Sequence, residues 1–246
     1  MKKLNFDISS AGLHILAMAL MLCDHLWATV IPGNDWLTCI GRLAFPIFAF
    51  MLVEGYFHTR NLKKYALRLL FFALISEIPF NLMCSDSLLY PIHQNVIWTL
   101  LIGLAMIHLN EKARKSGKPL ISGLAPIGTV FLGGLLGLIA FTDYNAAGVL
   151  MILVFYFCRG RRLWCYVCQF AGLYYINFIL LQGLVYPVTI FGTIYEIPQQ
   201  GLAVFSLLFI WLYQGRKGYS AKWFQQLCYW FYPGHMLLLW LILRFL

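Results

Sequence analysis

Apolar stretches long enough to cross a bilayer follow one another along this chain. They cover 12–31, 36–57, 65–84, 95–109, 120–141, 145–158, 163–181, 199–214 and 222–246. About 20 apolar helical residues span the ~30 Å hydrocarbon core. Within lipid, only helices and closed barrels can satisfy every backbone polar group. The stretches are continuous rather than alternating, which disfavours a barrel. Hydrophobic residues make up 61% and charged residues 11%, against about 25% charged in soluble domains. The expected fold is therefore an all-α, polytopic integral membrane helical bundle with about nine transmembrane helices (eight to ten), forming one domain over 1–246. The segment 183–197 is apolar but broken by Gly183, Pro187, Gly192 and Glu196, and reads as a re-entrant or interfacial piece. Met1-Lys2-Lys3 resembles the start of a signal peptide, but Asp7 and Asp24 interrupt it and no small-residue cleavage site follows. A retained first helix is expected.

Charge placement sets the orientation. If the N-terminus is cytoplasmic, one side of the membrane receives Lys2, Lys3, Arg60, Lys63, Lys64, Arg68, Lys112, Arg114, Lys115, Lys118, Arg159, Arg161, Arg162, Arg216, Lys217 and Lys222. Only Arg42 and Arg244 fall elsewhere, and the opposite loops carry Asp35, Asp86, Asp143 and Glu196. This obeys the positive-inside rule. The net charge of +9 thus belongs to the cytoplasmic face, where it suits anionic lipid headgroups; no nucleic-acid partner is needed to explain it. Cys165-x-x-Cys168 sits in an apolar helix with neither a second pair nor nearby histidines, so it reads as packing, and no metal site is expected. Gly133 and Gly137 have the spacing of a close helix contact.

Ionisable side chains inside spans are costly, roughly 2.5–3.5 kcal/mol each on insertion scales, and therefore mark function or pairing. At about 1.5 Å per helical residue, Asp24, His25, Arg42, Glu77 and His235 fall in one slab in the outer half of the membrane. Asp24 and Arg42 can form an ion pair that fixes the first hairpin of spans. Adjacent residues point about 100° apart on a helix, so His25 is left for Glu77 or another group to orient. Glu54 lies deeper, near His58 and the basic loop. His93-Gln94-Asn95 opens the fourth span, as either a helix cap or an acceptor-binding element. Arg60, Lys63, Lys64 and Arg68 are topology determinants that would also suit the phosphates of a cytoplasmic cofactor.

Several of these words recur together. Asp24-His25, Gly41-Arg42-Leu43-Ala44-Phe45-Pro46-Ile47-Phe48, Glu54-Gly55, His58-Thr59-Arg60-Asn61, Ser76-Glu77-Ile78-Pro79-Phe80, His93-Gln94-Asn95-Val96 and Tyr232-Pro233-Gly234-His235 lie in order over nearly the whole chain. In this pattern the sequence resembles the TraX family, which is named for a conjugation protein that acetylates the pilin amino terminus. That family is similar to the acyltransferase-3 membrane proteins, which carry acyl groups from cytoplasmic acyl-CoA to acceptors across the membrane. In the acyltransferase-3 group a basic residue and a histidine are separated by ten residues in the first helix; here His14 and His25 keep the spacing with histidine in the first place. Asn81 stands where relatives often have Asp, and Asn145 where Gly is more usual.

The resemblance implies an acetyl-CoA-dependent, multi-pass O- or N-acyltransferase of the bacterial cytoplasmic membrane. His25 would be general base, with Glu77, Asp24 and Arg42 completing the catalytic group. Arg60, Lys63, Lys64, Arg68, Arg162, His58 and Glu54 would form the acetyl-CoA side. His93, Gln94, Asn95 and His235 would form the acceptor side. The acceptor is a pilin-like peptide, glycan, lipid or small molecule. On physical grounds alone, intramembrane His, Asp, Glu and Arg also fit a proton-coupled transporter.

Overall fold

The computed structural model describes residues 7–181 and 183–245, so Lys2 and Lys3 lie outside the described residues. Those residues fall into two compact units. One comprises the residues up to Phe48 together with those from Asn177 onward, and the other is Ala49–Ile176.

In the first unit, α1 (Ser10–Ala28) starts at Ser9, whose hydroxyl accepts from the Gly12 amide at 3.2 Å. Helix α2 (Asp35–Gly41) packs antiparallel to it after a short turn. The expected span 36–57 is interrupted between α2 and α3 (Ala44–His58) at Arg42-Leu43. Pro46 explains the place of the break: it has no amide proton for the Arg42 carbonyl, and its ring crowds that position. In the first turn of α3 the same proline is tolerated, because that amide would be unpaired anyway.

The segment expected to be re-entrant or interfacial is a β-hairpin, a departure from an all-α chain. Strand β1 (Val185–Ile190) pairs antiparallel with β2 (Thr193–Pro198), with Tyr186 opposite Ile197 and Val188 opposite Tyr195. Phe191 (φ 49°) and Gly192 (φ 82°) form the two-residue turn. Positive φ at both central positions matches the right-handed twist of the flanking strands, and β-branched residues favour the extended chain. A 3₁₀ turn, Gln199–Phe205, then leads into α9 (Ser206–Leu212). Helix α10 (Lys222–Phe245) packs on α1.

The second unit contains most of α3 and then α4 (Leu62–Ser85), α5 (Val96–Lys115), α6 (Pro119–Ile139), α7 (Asn145–Phe157) and α8 (Leu163–Tyr174), the last continuing as a π-helical turn from Tyr175. Helix α5 contacts α4, α6 and α7. Gly133 and Gly137 of α6 allow its close approach to α7. A Cβ on Gly137 would lie 2.6 Å from the Asn145 carbonyl oxygen, and one on Gly133 would lie 2.8 Å from Val149.

Among the described residues, six helical stretches are long and apolar enough to cross a membrane: Ser10–Ala28, Asp35–His58, Leu62–Ser85, Val96–Lys115, Pro119–Ile139 and Leu163–Leu180. The expected spans at 145–158 and 199–214 are shorter apolar helices. Helix α10 has the length of a span, but its glutamines, His235 and Arg244 lower its hydropathy and it is not among the six. The architecture is that of a mostly helical, multi-pass membrane protein. Its large apolar side chains remain exposed along helix flanks, as at Leu124, Ile127 and Phe131 of α6, which suits a surface facing lipid rather than water.

Candidate functional site

The first unit gathers its intramembrane charges around one helix crossing. Arg42 forms an ion pair with Asp24, and Thr38 donates its hydroxyl to Asp24 Oδ1 at 2.6 Å. Gly41 makes this possible: a Cβ there would sit 2.5 Å from that of Asp24, so only glycine lets α2 approach α1 so closely. Gln199 donates to Thr38 Oγ1 at 2.8 Å. Arg42 Nη1 donates to Gln200 Oε1 at 3.3 Å, and Gln200 Nε2 donates to Asn177 Oδ1 at 3.1 Å. An ion pair removed from water needs such extra bonds to offset its desolvation.

His25 belongs to a separate arrangement. Its Nδ1 lies 2.7 Å from Nε2 of His235, whose own Nδ1 lies 2.6 Å from the carbonyl oxygen of Phe231. The Phe231 ring stacks on His235, with centroids 4.8 Å apart. His235 is buried. The neighbours Asp24 and His25 thus serve different partners, as their divergent directions on the helix require.

In the second unit, Glu77 Oε2 accepts from Trp98 Nε1 at 3.0 Å and from Asn95 Nδ2. Asn95 also donates to the Ala73 carbonyl at 2.9 Å and caps α5 by accepting from the Ile97 amide at 3.1 Å. His93 Nε2 bonds Asp143 Oδ1 at 3.0 Å, while the Gln94 amide donates to the Phe141 carbonyl at 2.8 Å. These bonds tie the start of α5 to the α6–α7 turn. The Asp143 hydrogen bond raises the His93 pKa above its ordinary 6.5, against partial burial, and the negative charge of Glu77 adds to the rise.

Because the folded pKa is the higher one, the pair's stabilisation is fully present below pH 6.5 and is lost as pH rises through the folded value. The thermal midpoint of Asp143→Asn should fall below wild type at pH 5.5 and converge with it at pH 9. A difference that is constant over this range would remove the charged pair from the account.

At the other end of the same unit, Arg159 grips Glu54 in bidentate fashion at 2.7 and 3.3 Å, its guanidinium lying 4.3 Å over the Phe57 ring. His58 Nδ1 donates to the Glu54 carbonyl at 2.8 Å. Arg60, Lys63, Lys64 and Arg68 are exposed around the start of α4, and Arg162 is exposed at the start of α8. Among the described residues no group of three or more His, Cys, Asp or Glu side chains is placed to hold a metal.

The sequence matches the family described as TraX protein over residues 9–243. The chain belongs to the TraX family. It is also similar to a "Probable fimbrial assembly protein FimC, serogroup H1" from Dichelobacter nodosus, with 35% identity over 127 residues. That match covers 47% of this chain and 51% of the relative, so the chain spans about half the length of the relative it matches. No solved structure matches.

In this TraX-family chain the structure brings Asp24 to Arg42 and joins His25 to His235. The sequence left His25 to be oriented by Glu77 or another group; in the structure His25 Nδ1 meets His235, and Glu77 accepts from Asn95 and Trp98. Sequence reasoning passed over Thr38, Asn177, Trp98, Gln199 and Gln200. Uncharged amides and hydroxyls carry less desolvation cost than charges and stand out less in an apolar chain. Arg159 reads from the sequence only as a topology charge, because Glu54, near the end of the stretch 36–57, and Arg159, just after the stretch 145–158, are 105 positions apart.

Proposed function

We propose that this TraX-family chain is an integral-membrane acetyltransferase that moves acetyl from acetyl-CoA to a hydroxyl or amine, with His25 as general base. The family is associated with pilin acetylation, and the name of the Dichelobacter relative links it to fimbrial assembly; a pilin-like peptide is the first acceptor to test. The observation that carries the reading is His25 itself. This imidazole sits in an apolar helix, held by a second ring and separate from the neighbouring ion pair.

In the proposed reaction the His25 imidazole takes the proton of the acceptor O–H or N–H. The acceptor atom attacks the thioester carbonyl, the C–S bond breaks, and the CoA thiolate leaves with the proton from the imidazolium. Acetyl-CoA enters from the basic, cytoplasmic side, with Arg60, Lys63, Lys64, Arg68 and Arg162 as phosphate contacts. Glu54, bonded by both Arg159 and His58, organises that end. His93, Gln94 and Asn95 mark the acceptor side of the bacterial inner membrane, and Asp24–Arg42 holds the helix that carries the base.

Purified chain in proteoliposomes, given acetyl-CoA and a synthetic pilin N-terminal peptide, should release free CoA and an acetylated peptide of equal amount. Proton or solute flux without CoA release would replace this reading with a transporter.

A further inference from the structure

We infer that His235 fixes the tautomer of His25 and thereby decides which of its ring nitrogens is the base; the inference rests on the acetyltransferase reading above. The argument starts at the far end of the chain of bonds. His235 Nδ1 lies 2.6 Å from the Phe231 carbonyl oxygen. That oxygen can only accept, so Nδ1 carries the proton. In a neutral ring Nε2 then holds a lone pair and can only accept. It lies 2.7 Å from His25 Nδ1. Two facing lone pairs would repel, so His25 Nδ1 carries a proton and donates it. The neutral His25 ring is left with its lone pair on Nε2, and that atom is the base.

Ring geometry supports an in-plane bond. The two centroids are 4.9 Å apart with an interplanar angle of 11°. That separation is close to the N···N distance plus the two ring radii, so the imidazoles meet edge to edge in nearly one plane. Phe231 stacks on His235 with an interplanar angle of 16° and keeps the ring in this plane. The alternative, an imidazolium at His235 donating in both directions, would bury a cation, and no carboxylate pairs with His235 among the described residues.

The consequence is catalytic, although His235 is a positioning residue. When His25 Nε2 takes the acceptor proton, the ring becomes cationic and its Nδ1–H bond to His235 becomes charge-assisted. Such bonds are roughly twice as strong as neutral ones. An interaction that strengthens as the proton moves lowers the barrier rather than the ground state.

The test combines ring-¹⁵N solid-state NMR of the full chain in lipid bilayers with acetyl-transfer kinetics on the same samples. Wild type at neutral pH should show His25 with Nδ1 protonated and Nε2 bare. His235→Ala should give mixed tautomers and a kcat lower by about tenfold or more, with KM unchanged. His235→Gln presents a side-chain carbonyl to the same donor and should restore both the tautomer and most of kcat. If the alanine variant does not fold, the wild-type spectrum and the glutamine variant decide. A protonated Nε2 in wild type with intact turnover, or an alanine variant with unchanged tautomer and kcat, overturns the role of His235. The assigned tautomer without any CoA release overturns the acetyltransferase reading instead.

Discussion

On the proposed acetyltransferase reading, replacing His25 with alanine should abolish acetyl transfer while the chain still inserts and folds. General-base catalysis contributes about 10²–10⁴ in rate, and no other described imidazole occupies the same place: His235 is engaged at Nδ1 by Phe231 and at Nε2 by His25. Alanine is the best helix former, so α1 retains its backbone and its packing on α2 and α10. The structural cost is the Nε2 acceptor of His235, left buried without its donor, about 1–3 kcal/mol. Thermal unfolding in detergent should therefore show a modest fall, far short of collapse. A second variant separates chemistry from structure. In His25→Gln the amide can still donate to His235 but cannot take a proton, so turnover should be as low as in the alanine variant while stability stays near wild type. CoA release from His25→Gln within tenfold of wild type would remove this histidine from the reaction.

The helices were legible because apolar run length reports membrane crossing directly, and the ends of α4 and α5 fall near the charges and asparagines that mark them. The pair Asp24–Arg42 was legible too, since opposite charges in consecutive apolar stretches have few ways to avoid each other. His25–His235 was not. The two residues are 210 positions apart and of one type, so neither charge nor spacing assigns them to each other; the sequence could only set them at similar depth. The hairpin at 185–198 was missed for a different reason. Its side chains are as apolar as those of a helix, and only Gly192 and the β-branched residues announce strands. Asn95 combines two roles that the sequence offered as separate possibilities, capping α5 while also holding Glu77.

Neutralising Arg42 alone destabilises the first unit more than neutralising Arg42 and Asp24 together. Arg42→Gln leaves the Asp24 carboxylate with the Thr38 hydroxyl as a donor but no counter-charge, in side chains only 21% (Arg42) and 19% (Asp24) exposed. Removing one partner of a buried pair costs about 3–5 kcal/mol, because a charge stays behind without compensation. Some water reaches both groups here, so the lower end, about 3 kcal/mol, is expected. Asp24→Asn strands the guanidinium, which keeps Gln200 as an acceptor, and should cost somewhat less. In the double variant two neutral amides replace the pair, and Thr38 and Gln200 still have polar partners to bond. The expected double-mutant cycle has a coupling energy of about 2 kcal/mol or more, since contacting residues in one network are strongly non-additive. Strictly additive midpoints would show that the pair does not hold α1 and α2 together. Acetyl transfer separates the two roles once more: if Asp24 only positions the helix that carries His25, the double variant should recover kcat along with stability. Recovery of stability with kcat still absent would place one of these charges in the reaction itself.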